Sequence, residues 1–571
     1  MQRRKPCSPK KRREQLRLKR AVKRGDIPPP PPSKPDQHRK GRKGPTGQSI
    51  GSTTRATAAE STRRLESSFV KLPPAFLEKT RVLAYKLPLT RPIPPELAIL
   101  PDVDKQITSA DGGRTAGELT CPRRPKWRYD MSKKEVEANE EGLFKKWLAQ
   151  TDAAVNAWCN ASSDDDAPQT SSVPGAPDRV LDRRSEAATD AMPRAPTSYE
   201  HNLEVWRQLW RVTEISQILL ILLDSRCPIL HFPPALPSYL SSLPHASRIR
   251  TILVLTKVDI SGPDRVAAWT KHLNALYPDM RIVQVESYVE KHAGEGSSSG
   301  RKMYAPHLPS AFRETLVNAL RETHAELLEP PPEIKSNPER LARWRPRMRS
   351  SVDWDAVLRA RGGQVGTVVG GAADPKPTKP PLEDGVGSEG HEEDDDSDPK
   401  FLTIGLIGQP NVGKSSLLNA LFGTQKVRVS RTPGKTKHFQ TLFWTSEVRL
   451  VDCPGLVIPN YVPMETQVLS GILPISRVSA IPLCIYHAAR LIPLEKVLGL
   501  AHPSPPSAAP EDKRTWREDI FTWRDGEQPK AQPKEVVWTA MDILTAYANK
   551  KGWMTAQAGR PDVNRAGNAS T

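Results

Sequence analysis

Two stretches of the sequence have the residue types and spacing needed to bind a nucleoside triphosphate. In the first, residues 408–415 read G-x-x-x-x-G-K-S between a predicted apolar strand and a predicted helix. The glycines let backbone N–H groups turn inward around a β-phosphate, and the start of the helix adds a favourable partial charge. Lys414 then places a positive charge against the β- and γ-phosphates, and the Ser415 hydroxyl can ligate Mg²⁺. The predicted phosphate-binding residues are Gly408, Asn411, Val412, Gly413, Lys414, Ser415 and Ser416.

The second stretch is Thr256-Lys257-Val258-Asp259, which follows an apolar run at 251–255. One carboxylate at Asp259 can accept hydrogen bonds from both N1–H and the exocyclic amine of guanine, and adenine has no such pair of donors. Lys257 would lay its aliphatic stem along the base. Asn is the commoner residue at position 256, but the Thr256 hydroxyl can still brace the loops. Ser287 follows a third predicted strand and is the candidate for the loop that touches guanine O6.

A third group of residues is placed to respond to the γ-phosphate. Asp452, in Asp-Cys-Pro-Gly after a predicted strand, can hold a magnesium-bound water, and the Gly455 N–H can reach the γ-phosphate. Thr436 follows a Pro-Gly turn that favours it over its neighbours Thr432 and Thr441 as a second hydroxyl ligand, in a loop ordered when γ-phosphate is bound. The predicted metal ligands are therefore Ser415, Thr436 and Asp452, and the predicted catalytic residues are Lys414, Thr436 and Gly455.

Leu456 stands directly after Gly455, where many GTPases have a glutamine that positions water. Because a leucine cannot orient a nucleophilic water, the sequence predicts slow intrinsic hydrolysis of GTP. The remaining phosphate and metal ligands favour hydrolysis completed by a partner or by a bound cation, and Asn411 could help to hold K⁺. The alternative is a domain that binds GTP without turning it over.

The order of the two nucleotide-binding stretches predicts the fold. The guanine-reading stretch comes about 150 residues before the phosphate loop, whereas ordinary GTPases have the reverse order. We therefore expect an α/β fold in which a circularly permuted P-loop GTPase domain has a mostly parallel sheet flanked by helices. A basic, disordered N-terminal region and a small helical C-terminal domain should accompany it.

Composition shifts mark the predicted domain boundaries. Of the 571 residues 57 are proline and only 37% are hydrophobic, so much of the length should be linker or tail. The predicted divisions are a disordered region at 1–120, a short helix plus linker at 121–195, the guanine-binding half of the GTPase domain at 196–290, an insertion that closes in an acidic run at 291–399, the phosphate-loop half at 400–465 and the helical domain at 466–571.

Charge and cysteine content restrict the partners and the compartment. The formal net charge is +19, and twelve basic residues between Arg3 and Arg24 face one acid, Glu14. Such a run predicts contact with RNA, an import signal, or both, while a solvated tail is the plain alternative. Six scattered cysteines predict neither a disulfide framework nor a zinc site. The longest apolar run, near 218–223, is too short to span a bilayer. We expect an intracellular protein without a membrane partner.

Several longer stretches resemble the YlqF/YawG group of circularly permuted GTPases. They are residues 203–212 (LEVWRQLWRV), 232–236 (FPPAL), 431–441 (RTPGKTKHFQT) and 452–456 (DCPGL). The resemblance implies GTP hydrolysis with Mg²⁺, tied to ribosome assembly, in the nucleolus or the cytoplasm. A pre-ribosomal particle or rRNA would then be the partner of the basic N-terminal region. Thr256 and the sequence after Ser287 depart from the family pattern.

Two rival functions remain open on the sequence alone. Leu456 leaves room for a scaffold or RNA-binding protein that uses GTP as a structural ligand. A GTPase with a signalling or trafficking role unconnected to ribosomes is the other alternative. The sequence does not predict the oligomeric state.

Overall fold

A computed structural model describes residues 67–69, 71–91, 119–128, 130–165, 191–291, 303–330, 332–344, 346, 348–361, 367–368, 401–427, 440–503, 537–555 and 559–570. All of them belong to one compact unit, Thr62–Thr571. Among these residues no helix combines the length and the apolar content that crossing a membrane requires.

A seven-stranded sheet forms the centre of this unit. Its strands are β1 (Ile218–Asp224), β2 (Arg250–Thr256), β3 (Arg281–Gln284), β6 (Thr367–Val368), β7 (Leu402–Ile407), β8 (Gln440–Phe443) and β9 (Val448–Asp452). Their order across the sheet is β3-β2-β1-β7-β9-β8-β6. All residues of β1 and β7 are buried, as parallel strands covered on both faces require. A separate hairpin pairs β4 (Tyr288–Lys291) with β5 (Met303–Pro306).

The strand order demonstrates the circular permutation. β7, which runs into the phosphate loop, pairs in parallel with both β1 and β9. Its neighbour β1 precedes it in sequence, and Ile218 of β1 lies opposite Ile404 of β7. The carboxyl ends of β2 and β7 therefore lie on one edge of the sheet, where ligands of open α/β sheets bind. The predicted α/β fold with a permuted GTPase domain is confirmed.

Helices cover both faces of the sheet. One face packs against α2 (Lys133–Asp165), α3 (Leu203–Ile215), α5 (Ala235–Ser241) and α7 (Pro263–Leu276). The other face packs against α8 (Ser310–Leu328), α11 (Trp354–Arg359) and α12 (Lys414–Phe422). Short helices α4 (Pro228–His231), α6 (Val258–Ser261), α9 (Pro332–Lys335) and α10 (Pro338–Arg343) complete this part of the chain.

A third core lies in the C-terminal part of the unit. It combines α13 (Met464–Leu469), α14 (Ile481–Leu491), α15 (Leu494–Val497), α16 (Ala540–Lys550) and α17 (Val563–Ser570) with α1 (Pro74–Lys86). Ala84 of α1 is buried in this core. The described residues between 466 and 570 are therefore largely helical, and a segment from the N-terminal region contributes to this core.

Three of the predicted boundaries differ from the structure. The region expected to be disordered at 1–120 contains α1, because its apolar residues pack on the C-terminal core. The short helix expected before residue 151 continues to Asp165, since Val155 and Trp158 are buried against the sheet layer. The insertion expected at 291–399 begins with the hairpin and α8, and Leu316 and Leu320 of α8 are buried on the central sheet.

Glu465, on α13, is a buried carboxyl group close to the phosphate-loop half of the domain. It is 6% exposed, and its Oε2 has no hydrogen-bond partner among the described residues. Burial raises the pKa of Glu465 to about 7, although the charge of Arg194 acts in the opposite direction. Ionised Glu465 therefore destabilises the folded state.

We expect Glu465→Gln to raise the free energy of unfolding, and to do so only where the native residue is ionised. Since the folded-state pKa lies above the ordinary value of 4.5, the cost of ionisation is absent below that pH and complete above about 7. By pH 8 the free energy of unfolding of the variant should exceed that of the native protein by about 3 kcal/mol. Urea unfolding at pH 5 and pH 8 measures it, with the exposed Glu141→Gln as the matched control. An equal advantage at both pH values would contradict this account.

Candidate nucleotide-binding site

The phosphate loop links the end of β7 to the start of α12. Asn411 and Gly413 adopt left-handed backbone conformations, with φ of 61° and 108°. The Lys414 ammonium folds back over the loop and donates to the carbonyls of Gly408 and Gln409, both at 2.8 Å. Burial lowers the pKa of Lys414 to about 8, with opposing contributions from Asp452 and Cys453. A phosphate group in the loop would meet this ammonium directly.

Ser415 and Asp452 form an oxygen pair suited to a metal ion. The Ser415 hydroxyl donates to Asp452 Oδ2 at 3.3 Å, and Asp452 is completely buried at the end of β9. Its Oδ1 has no hydrogen-bond partner among the described residues. Burial raises the pKa of Asp452 to about 6. An orphaned carboxylate oxygen beside a hydroxyl fits Mg²⁺, which binds hard oxygen ligands. Thr436, the third predicted ligand, lies outside the described residues.

Gly455 lies against the phosphate loop, and Leu456 turns away from it. A Cβ atom at Gly455 would stand 2.8 Å from Pro410 Cα and 3.2 Å from Lys414 Nζ, so only glycine fits without a shift. The Leu456 N–H donates to the Gly408 carbonyl at 3.4 Å, while its side chain is 2% exposed in the hydrophobic core. A side chain in that position cannot orient a water molecule.

Thr256 and Lys257 connect the guanine-reading loop to the phosphate loop. The Thr256 hydroxyl donates to the Val412 carbonyl at 2.6 Å and also lies 3.0 Å from the Leu223 carbonyl. Lys257, at φ 57°, donates from Nζ to the Asn411 carbonyl at 2.7 Å. The two stretches, 156 and 154 residues apart in these contacts, therefore form a single site.

The predicted base-reading residues lie at the same edge of the sheet. Asp259 is exposed in the short helix α6, two residues after Lys257. Ser287 follows β3, and the Val285 N–H donates to the Leu255 carbonyl at 2.8 Å, which sets the two loops side by side. Burial raises the pKa of Glu286, and the nearby charge of Asp259 raises it further. Asp259 and the 286–287 loop thus lie near each other.

Asp224 and Tyr288 belong to this site although the sequence did not predict them. Asp224, at the end of β1, is 1% exposed and binds Lys257 at 2.6 Å and Arg226 at 2.7 Å. Burial disfavours its ionisation, but these two cations hold the pKa of Asp224 well below its usual range. The Tyr288 hydroxyl donates to the Ser416 hydroxyl at 3.2 Å. Asp224 could have been found in the sequence as an acidic residue at the end of a fully apolar strand. No sequence pattern marks Tyr288.

Asn411 also contacts the C-terminal part of the chain. Its side-chain Nδ2 donates to the Gly471 carbonyl at 2.9 Å. The amide oxygen of Asn411 is not engaged in this bond and could still face a cation. A role for Asn411 in binding K⁺ stays a prediction.

We expect Thr256→Val to loosen the connection between the two loops. Valine keeps the shape of threonine but leaves the Val412 and Leu223 carbonyls without this donor. The free energy of unfolding should therefore fall by about 1–3 kcal/mol. Urea unfolding and GTP titration would show a lower stability and a weaker affinity. Thr323→Val is the matched control, because the buried Thr323 hydroxyl donates one turn back along α8, to the Ala319 carbonyl. Equal effects of the two substitutions would contradict a bracing role.

Comparison with known proteins agrees with this geometry. The family described as 50S ribosome-binding GTPase matches residues 403–498. Guanine nucleotide-binding protein-like 1 of Homo sapiens is 32% identical over 79% of this chain and 62% of its own length. Large subunit GTPase 1 of Saccharomyces cerevisiae is 28% identical over 79% of this chain and 55% of its own length. The chain thus spans less than two thirds of these curated relatives.

A solved structure of GNP-bound YlqF from T. maritima also aligns with the chain. The TM-score is 0.28 and the identity 15%, with 63% of this chain and 89% of that chain covered. The fold assignment therefore depends on the strand order described above. Together, the permuted strand order and the joined loops show the fold of a circularly permuted P-loop GTPase, and the chain is similar in sequence to guanine nucleotide-binding protein-like 1 and to yeast large subunit GTPase 1.

Proposed function

We propose that the protein binds GTP with Mg²⁺ and hydrolyses it to GDP and phosphate. The observation that carries the proposal is the pair of hydrogen bonds from Thr256 and Lys257 to the phosphate loop, at 2.6 Å and 2.7 Å. These bonds support the proposal because they join the segment that carries Asp259 to the loop suited to phosphates. GTP and GDP are therefore the ligands that this site fits best.

Each residue of the site has a distinct task in this proposal. The N–H groups of residues 411–416 would bind the β-phosphate. Lys414 would exchange its two carbonyl partners for phosphate oxygens. Ser415 and Asp452 would hold Mg²⁺, directly and through water, together with Thr436. The metal ion supplies charge that stabilises the phosphate oxygens. Gly455 leaves room for the γ-phosphate and offers it an N–H group.

Hydrolysis without a partner should be slow. Leu456 is buried in the core, so no side chain at that position orients the attacking water. The group that orients the attacking water, or stabilises the transition state in its place, would come from a bound particle or from K⁺ beside Asn411. Turnover would then be coupled to docking, as a step that releases or remodels the particle.

The proposed particle is a pre-ribosomal one. One supporting observation is the basic run between Arg3 and Arg24, which suits a polyanion. The other is that the matching family is described as ribosome-binding, and one relative is called large subunit GTPase 1. The protein would accordingly act in the nucleolus or the cytoplasm.

Steady-state GTP turnover tests this function. The rate is measured with the full chain in Na⁺ or K⁺, with and without purified ribosomal subunits. We expect a slow basal rate that rises at least tenfold with K⁺, with subunits or with both. Binding of GTP without turnover under every condition would instead support the GTP-dependent scaffold that Leu456 leaves open. A role unconnected to ribosomes would be supported if ribosomal subunits left the turnover rate unchanged and the protein did not sediment with them.

A further inference from the structure

A basic surface lies at the start of the second helix, on the segment between Arg123 and Lys134. This segment contains six basic residues and one acid, Asp130. Trp127 lies in the middle of it and is 45% exposed. An indole is costly to expose and soluble proteins expose few, so its position among cations calls for an explanation. We call residues 123–128 and 130–134 the Trp127 surface.

The segment is anchored firmly to the core. The indole N–H groups of Trp147 and Trp210 donate to the carbonyls of Thr120 and Pro122, both at 2.9 Å. Cys121, between these two carbonyls, is 3% exposed and its thiol contacts the Ala235 carbonyl. The chain therefore leaves the core at Pro122 in a fixed direction, and Trp127 follows only five residues later.

The Trp127 ring is also supported from one side. The Arg124 guanidinium lies 5.8 Å from the centroid of the ring. Arg124 itself is fixed by hydrogen bonds to Glu140 and Glu214, each at 2.9 Å. An aromatic ring held by a fixed guanidinium loses little entropy when a planar group stacks on it.

The charges around the ring are positive. Arg123, Lys126 and Arg128 are exposed on either side of Trp127, and Lys133 and Lys134 are exposed at the start of α2. Lys133 pairs with Glu137 at 3.8 Å, and Glu140 is bound by Arg124 and by Arg207, so the charge beside the ring comes from Arg123, Lys126 and Arg128. Cations spaced along the chain on both sides of an aromatic ring match a base flanked by two phosphates.

We propose that the Trp127 surface binds single-stranded RNA, with Trp127 stacking on a base and the neighbouring cations contacting the backbone. Proteins that bind single strands combine aromatic rings with a positively charged track in this way. An acidic peptide would use the cations alone and gain little from an exposed indole. The inference extends the proposed docking on an RNA-containing particle, on which it rests for its biological setting, but it needs neither GTP nor hydrolysis.

Fluorescence anisotropy of the full chain with a labelled single-stranded oligouridine tests this inference. We expect Trp127→Ala to weaken binding about tenfold, and Trp127→Phe to retain most of the affinity because stacking survives. Tyr304→Ala, on the β5 hairpin, removes another exposed aromatic ring (57% exposed) and serves as the matched control. Circular dichroism checks that the variants fold.

The salt dependence of RNA affinity distinguishes binding at the Trp127 surface from binding at the basic N-terminal run. Affinity due to phosphate contacts falls steeply between about 0.15 M and about 0.3 M salt, whereas the ratio between native protein and Trp127→Ala should persist. Ultraviolet crosslinking followed by mass spectrometry should place RNA on a peptide containing residues 123–134. Equal affinity of native and Trp127→Ala proteins would overturn the inference. Crosslinks confined to other segments would also overturn it, as would a polyglutamate peptide that binds in a Trp127-dependent manner while RNA does not.

Measuring GTP turnover without RNA shows whether a failed test concerns this inference or the proposed function. Trp127→Ala should leave that basal rate unchanged, because the Trp127 surface includes no residue of the nucleotide site. Loss of RNA binding with normal GTP turnover would support the inference. Inactive native protein that still binds RNA through Trp127 would contradict only the proposed GTPase function.

Discussion

Asp259→Asn is expected to change the preferred base from guanine to xanthine. The native carboxylate accepts two hydrogen bonds from guanine, whereas asparagine presents an NH₂ donor to one of them and meets an unfavourable contact. One hydrogen bond is replaced by this donor–donor contact and the other now has a neutral acceptor, so GTP binding weakens by about 100-fold. Xanthine carries an oxygen in place of the exocyclic amine, so the asparagine amide can donate to it. Competition of labelled GTP by GTP, XTP and ATP measures this change.

The matched control for this substitution is Asp264→Asn. Asp264 is likewise exposed and lies in the first turn of α7, a few residues beyond the base-reading loop. It should keep the native order of affinities. If Asp259→Asn also kept a preference for GTP over XTP, Asp259 would not read the base, and the assignment of the 256–259 loop would be wrong.

Lys414→Met should have an effect of similar size on the phosphate side. Methionine occupies much of the same buried volume but cannot contact phosphate oxygens, and the carbonyls of Gly408 and Gln409 lose their common donor. We expect GTP affinity to fall at least about 100-fold and turnover to become undetectable. Isothermal titration and a phosphate-release assay measure the two quantities.

Lys426→Met controls for the loss of a lysine in the same half of the domain. Lys426 is exposed just beyond the end of α12, in the stretch that follows the helix. Circular dichroism should show native folding for both variants. Unchanged GTP affinity in a folded Lys414→Met variant would mean that the ammonium does not face the phosphates.

The local sequence predicted those parts of the fold that depend on short, continuous patterns. The apolar runs at 218–223 and 251–255 are β1 and β2, and residues 408–415 link a buried strand to a helix as expected. Each pattern is short enough for its periodicity and flanking residues to define it. The permuted order of the two nucleotide-binding stretches then gave the arrangement of the sheet.

Contacts between distant segments were not predictable in the same way. The hairpin that begins at Tyr288 brings this residue to Ser416, 128 positions away, and no local pattern marks it. Helix α1 lies in a region rich in proline and charge, and it is ordered because apolar residues such as Ala84 are buried on a core from the other end of the chain. The expected linker after residue 151 is helical for the same reason: Trp158 is buried by partners that the sequence does not identify.

Hydrogen exchange with bound nucleotide tests most directly whether two distant halves of the chain build one guanine-nucleotide pocket. Amide exchange is followed by mass spectrometry in the full chain, with a non-hydrolysable GTP analogue or the matching ATP analogue. We predict that the GTP analogue protects residues 256–259 and residues 408–416 together, and that the ATP analogue protects neither at the same concentration. Protection confined to 408–416, or equal protection by both analogues, would contradict the account.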